Sequence, residues 1–218
     1  MVNKIYVLNH SDFTNRRQFI EDKLQTQQIE YELVQAHHPN EIDYDKEMIG
    51  WENFEDIEIL GTYANYQNFS KKINIGSLSL ILKHIWCYKN QIENNYENIL
   101  ILEDDADIPK NFIEYLNNNM SEFNQLKEKF GVGMMMLGKT HEIFTAISHE
   151  GFNHTFYNPN QKTRCTHAYV TNIETSKKLL NGFNNYNLPI DFKLNEIIQI
   201  EDIKVSWSEP SINQKINF

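Results

Sequence analysis

Short apolar runs of β-forming residues alternate, almost from end to end, with longer stretches whose apolar residues recur every three or four positions. No other feature restricts the fold of this chain as much. "KIYVLN" (4–9) reads as a buried strand. "TNRRQFIEDKLQTQQI" follows as a helix, with Thr14 as N-cap and Phe19, Ile20, Lys23 and Leu24 at helical spacing. "YELVQA" (31–36) returns as a second strand, so the first 35 or so residues read as a β-α-β unit on a parallel sheet.

The pattern continues. "GSLSLILKHIWCYKNQIENN" places Leu78, Leu82, Ile85, Tyr88 and Ile92 on one helical face, with a serine near its start as cap. "NILILEDD" is a continuous apolar strand of the central parallel kind. Helix ("PKNFIEYLNNNMSEFNQLKEKF"), strand ("VGMMMLG"), strand ("CTHAYVTN") and helix ("IETSKKLLNGF") come next. "LPIDFKLNEII" passes from loop to helix, and "IKVSWSEPS" is a last strand. No linker, low-complexity tract or repeat interrupts the series. The expectation is one α/β domain over residues 1–218, with a central, mostly parallel sheet flanked by helices. Residues 37–75 break the pattern: they are acidic and aromatic (Trp51, Phe54, Tyr63, Tyr66, Phe69) and lack a clear period. They read either as a variable insertion near an active site or as a further helical layer.

Composition narrows the function classes. With 20 basic against 30 acidic residues in 218, the formal charge is −10, which argues against nucleic acid as the main partner. A nucleotide stays open, because a bound divalent cation reverses the local field. Cys87 and Cys165 lie in apolar segments and read as free thiols, not a disulfide framework. The start, "MVNKIYVLNH", lacks the apolar core of a signal peptide, and no run reaches membrane-spanning length. The expected location is cytoplasmic, with the sequons at Asn9, Asn68, Asn119 and Asn153 left unmodified.

Chemistry concentrates in "LILEDDADI", where Glu103, Asp104, Asp105 and Asp107 close an apolar strand. Ligands of open α/β sheets sit beyond the carboxyl ends of strands, which is where these acids fall. In an extended chain Glu103 and Asp105 would point one way and Asp104 the other. An i, i+2 pair of carboxylates can bind one hard cation such as Mn²⁺ or Mg²⁺ and leave positions for substrate phosphates; Asp105 and Asp107 form a second such pair. The alternative is a solvated acidic turn favouring the N-terminus of the next helix.

Several motifs in order resemble glycosyltransferase family 25, the lipooligosaccharide galactosyltransferases whose relatives include collagen galactosyltransferases. These are "IYVLNHSDFTNRRQFI" with Arg16 and Arg17, "YELVQA", "GSLSLILKHIWCY" with Gly76 and His84, "LILEDDADI", "CTHAYVTNIETSKKLL", "LPIDFKL" and "VSWSEPSINQ". Ser79, Leu80, Lys83 and Tyr88 depart from the family's usual Gly, Cys, Ser and Trp. The resemblance implies a GT-A-like fold and an inverting transfer of a hexose, typically galactose, from a UDP-sugar to a glycan, lipid-linked or protein-linked acceptor. Glu103, Asp105 and Asp107 would then hold Mn²⁺ or Mg²⁺, with Asn9, Arg16, Gly76, His84 and Asp104 around the donor. Asp191 in "LPIDF" is the candidate base for the acceptor hydroxyl, or an N-cap of its helix. Arg16 suits phosphate oxygens, whereas Arg17 reads as helix-surface charge. His167 is a candidate metal ligand or acceptor contact, and His37 and His38 follow a strand where a loop can touch a nucleotide. Two other readings stay open at this level: a metal-dependent phosphohydrolase using the same acids, and a binding module that kept the fold.

Overall fold

A computed structural model describes residues 1–48, 73–138, 152–157, 165–184, 186 and 188–215. Its elements follow the sequence pattern closely. Strand β1 (Lys4–Leu8), helix α1 (Thr14–Thr26) and strand β2 (Glu32–Val34) form the first unit, with β1 and β2 paired in parallel. A 3-10 turn (Pro39–Glu41) and short α2 (Tyr44–Glu47) follow. Then come α3 (Ile75–Glu93), β3 (Asn98–Glu103), β4 (Ala106–Asp107), α4 (Phe112–Phe130) and β5 (Val132–Gly138). The chain ends with β6 (Thr155–Tyr157), β7 (Ala168–Asn172), α5 (Ile173–Gly182), α6 (Ile190–Ile200) and β8 (Lys204–Gln214).

The strands form one sheet in the order β2-β1-β3-β7-β5-β8-β4, with β6 also on β8. Strands β1, β2, β3, β5 and β8 run one way; β7, β4 and β6 run the other. The sheet is therefore mostly parallel and mixed. Its reversed central strand, β7, pairs antiparallel with both β3 and β5.

Alternation along the strands builds two cores. Tyr6, Leu8, Ile99, Ile101, Met134, Met136 and Tyr169 face α3, α5 and α6 through Leu78, Ile81, Ile85, Leu179, Leu194 and Ile197. Val7, Leu100, Leu102, Met135, Leu137 and Val170 face α1 and α4 through Ile20, Leu24, Phe123 and Leu126. Central strands buried on both faces have no polar side to show, so "NILILE" and "VGMMMLG" read as unbroken apolar runs.

The caps differ from expectation. Thr14 is the first helical residue of α1, after Phe13, which lends no side-chain hydrogen bond. The cap of α3 is Asn74, whose side-chain Oδ1 accepts from the Ser77 backbone N–H, and not a serine. The aromatic residues from Trp51 to Phe69 lie outside the described residues.

Gly182 marks a close contact between α5 and α6, since a Cβ there would stand 2.4 Å from Ile197 Cγ2 on α6. Gly182→Ala should therefore push α6 from α5 and cost about 1–3 kcal/mol, as overpacking does. Thermal melting should show a Tm lower by several degrees; an unchanged Tm would mean that the interface absorbs a methyl group without loss.

Candidate active site

The parallel strands end at one rim of the sheet, and β3 delivers the acids there. The chain does not stay extended past Glu103: residues 104 and 105 form a turn before β4. Strict alternation is broken as a result. Asp104 accepts hydrogen bonds from Asn9 Nδ2 (2.8 Å) and Arg16 NH1 (3.3 Å). Asp105 accepts from the same Arg16 nitrogen (3.1 Å) and from Gln214 Nε2 (2.9 Å). Both carboxylates are buried, and burial raises their pKa above the usual range, opposed by Asn9 and Arg16 for Asp104 and by Gln214 and Arg16 for Asp105. Glu103 raises Asp105 further by charge repulsion.

Glu103 behaves differently. Burial would raise it, yet His84 and the Thr166 hydroxyl, which donates to Oε1 at 2.6 Å, leave its pKa lowered on balance. His84 Nε2 stands 3.8 Å from the same oxygen. His84 itself is wholly buried in α3 and bonded through Nδ1 to the Tyr169 hydroxyl at 2.7 Å, which in turn meets Tyr88 at 2.5 Å. It stands behind Glu103, so any influence on a donor passes through that carboxylate.

Glu103 opens onto a cleft of about 250 Å³, lined also by Ser77, Leu80, Thr166, His167, Asp191 and Gln214. That is below the usual size of a ligand pocket. A larger depression of about 630 Å³ over Gln27, Lys110 and Glu114 includes none of the acids. Asp191 lies within the first turn of α6 and accepts from the Phe192 backbone at 3.0 Å; the N-cap is Pro189, so the capping alternative for Asp191 is not what the structure shows. His167 Nε2 is 2.9 Å from the Ile212 carbonyl, a contact that requires the ring to donate. Its buried Nδ1 then carries a lone pair with no partner among the described residues.

Other expected residues are spread around this rim. Asn9 spans Asp104 and Gln35, closing the end of β1. Gly76 is exposed in the first turn of α3. Asp107 points to the outer edge, paired with Lys23 and about half exposed, so it is not gathered with Glu103 and Asp105. Arg17 pairs with Glu21 along α1, a surface contact.

Carboxylate oxygens such as those of Glu103 and Asp105 are the donor type that a hard cation takes. Asp105 Oδ1 is buried and accepts no hydrogen bond among the described residues, and Glu103 faces the same cleft as Gln214, the partner of Asp105 Oδ2. Among the described residues, the three potential ligands whose atoms lie within 4.8 Å of one another are instead His10, Asp12 and His38. There, however, the Asp12 and Asn40 backbones donate to the Nδ1 atoms of His10 and His38. Each neutral ring then carries its proton on Nε2, an arrangement that suits an oxygen acceptor better than a cation.

Three of the family departures have polar roles, and two of them act together. Ser79 Oγ and Lys83 Nζ both donate to the carbonyl of His37, which has a positive φ of 58°, and Lys83 also donates to Ser79. The third, Tyr88, belongs to the His84 network. Sequence reading missed the first arrangement because a buried lysine on an apolar helix resembles a misplaced surface residue. It also passed over Thr166 and Phe13; the latter's exposed ring stacks on His10 and lies under Arg16.

Residues 2–194 match the profile of glycosyltransferase family 25, described as an LPS biosynthesis protein. The chain belongs to that family. It is a glycosyltransferase, and the family's chemistry implies a nucleotide-sugar donor and a glycan acceptor. Two solved structures are similar in outline. One is a glycosyltransferase involved in the glycosylation of the major capsid of PBCV-1, at 13% identity over 95% of this chain and 81% of that one, with a TM-score of 0.45. The other is apo UDP-glucose pyrophosphorylase, at 10% identity over 99% and 92%, with a TM-score of 0.48. No curated protein matches the sequence significantly. Among the described residues no helix is long and apolar enough to cross a membrane.

Burial lowers the Lys83 pKa to about 8, against the partial support of Glu41 and Asp104. The folded chain thus gives up this proton before the unfolded chain does, so stability from this group rises with pH between about 8 and the ordinary value near 10.5. The Tm of wild type relative to Lys83→Met should therefore improve from pH 7.5 to 10; a constant difference would mean that Lys83 titrates as a surface lysine.

Proposed function

We propose that this glycosyltransferase is a metal-dependent, inverting hexosyltransferase that uses a UDP-sugar, with galactose the first candidate, and a glycan, lipid-linked or protein-linked acceptor. The observation that carries the reading is that Glu103, at the end of β3 and next to the buried Asp104 and Asp105, lines one cleft together with Asp191 at the start of α6.

In this reading Glu103 and Asp105 hold Mn²⁺ or Mg²⁺, while Asp104 is engaged by Asn9 and Arg16 and orients the turn. The cation supplies charge neutralisation for the departing diphosphate. The acceptor hydroxyl oxygen attacks the anomeric carbon from the face opposite the nucleotide, the carbon–phosphate oxygen bond breaks, and UDP leaves. Asp191 takes the hydroxyl proton. Thr166 holds Glu103 through its hydroxyl, and Gln214 holds Asp105, so neither carboxylate needs to reorganise during the step. In the same reading His10 and His38, whose rings lie 4.5 Å apart in the loops after β1 and β2, are candidate contacts for the nucleotide.

Hydrolysis of a panel of UDP-sugars, with and without Mn²⁺, tests this directly. One sugar should be cleaved only with metal, and Asp105→Ala should lower the rate by at least about 100-fold, beyond the 10–100-fold seen when a supporting residue is lost. Asp191→Asn should cut transfer to an acceptor by about 10²–10⁴-fold while leaving UDP affinity intact. Equal hydrolysis with and without metal would remove the cation from the mechanism.

A further inference from the structure

The Arg16 guanidinium has an unusual task for a residue expected at a phosphate. One of its nitrogens is shared between two neighbouring buried carboxylates, 3.3 Å from Asp104 Oδ1 and 3.1 Å from Asp105 Oδ2. Charge-assisted contacts are ordinarily shorter, at about 2.7–2.9 Å, and an arginine at its strongest engages one carboxylate with two nitrogens. The contact here is long and shared. Arg16 is also about one-third exposed, in the first turn of α1, and lies over the exposed Phe13 ring at 5.3 Å. The carboxylates are buried, whereas the cation that balances them is on a long, partly exposed side chain.

We propose that Arg16 is an exchangeable counter-ion: it neutralises Asp104 and Asp105 in the free enzyme, yields Asp105 when a divalent cation binds, and then takes the donor diphosphate. This rests on the reading that Glu103 and Asp105 hold a cation. Like charges compete for the same carboxylate, so Arg16 weakens binding of the metal alone. Once it yields Asp105, its guanidinium turns to phosphate oxygens, whose geometry its planar fork matches, so it strengthens binding of the nucleotide to the metal-loaded enzyme. The two effects make metal and nucleotide binding mutually supportive, and the coupling must be equal in both directions. The residue thereby sets the order of events: metal without nucleotide is disfavoured, and the loaded pair is favoured.

The test measures Mn²⁺ binding by electron paramagnetic resonance of the free ion, with and without UDP, and UDP binding by calorimetry at saturating Mn²⁺. Wild type, Arg16→Gln and Arg16→Lys are compared, each first checked for a cooperative thermal transition. Arg16→Gln should bind Mn²⁺ alone about tenfold more tightly and UDP about tenfold more weakly, and the coupling between them should collapse. Arg16→Lys keeps the charge without the fork, so its affinity for Mn²⁺ alone should stay close to wild type while UDP still weakens. Unchanged or weaker Mn²⁺ binding by folded Arg16→Gln, with wild type binding Mn²⁺ normally, would overturn the exchange and leave the metal reading intact. Mn²⁺ binding by none of the three proteins, with or without UDP, would overturn both.

Discussion

Two adjacent aspartates buried at the end of a central strand pose the electrostatic problem around which the rim is organised. Carboxylates removed from water repel one another and resist ionisation unless donors reach them. Here the donors come from distant parts of the chain: Asn9 after β1, Arg16 in α1 and Gln214 at the end of β8. The backbone of Lys215 also donates to the Asp105 carbonyl. Residues more than a hundred positions apart are thus drawn to a single turn, and the last strand must extend past β5 to deliver its share. Glu103 completes the set from the cleft side, steadied by Thr166.

Much of this was legible in the sequence. Buried parallel strands cannot alternate polarity, so "KIYVL", "NILILE" and "VGMMMLG" stood out, and the helices between them carried recognisable apolar faces. The acids were placed correctly at the rim because strand ends could be located. What was not legible depended on long-range pairing. Nothing local distinguishes β7 from a parallel strand, since its direction is set by the neighbours it joins. The Asp104–Asp105 turn overrode the two-residue period, because Arg16 and Gln214 offered both carboxylates partners that no spacing rule records. Asp107 looked equivalent to its neighbours and instead meets Lys23 at the edge.

The departures from the family pattern on α3 gain a physical meaning. Lys83 and Ser79 converge on the carbonyl of His37, a residue held at positive φ immediately before His38. A lysine removed from water is costly, and its retention is explained by what it fixes: the turn that aims His38 toward His10 and the end of β1. Tyr88 likewise joins the hydroxyl network that backs His84 and, through it, Glu103.

The reversed direction of β7 has a consequence for how such a cleft can diversify. In a wholly parallel sheet only the segments leaving the strands reach the functional rim. Because β7 runs the other way, the residues entering it, Cys165, Thr166 and His167, stand at that rim beside the acids. The strand itself is clamped on both sides, by β3 and β5, so its register is independent of the length of chain that precedes it. Substitutions at Cys165, Thr166 and His167 can therefore re-line the cleft while the hydrogen-bonded core stays in place.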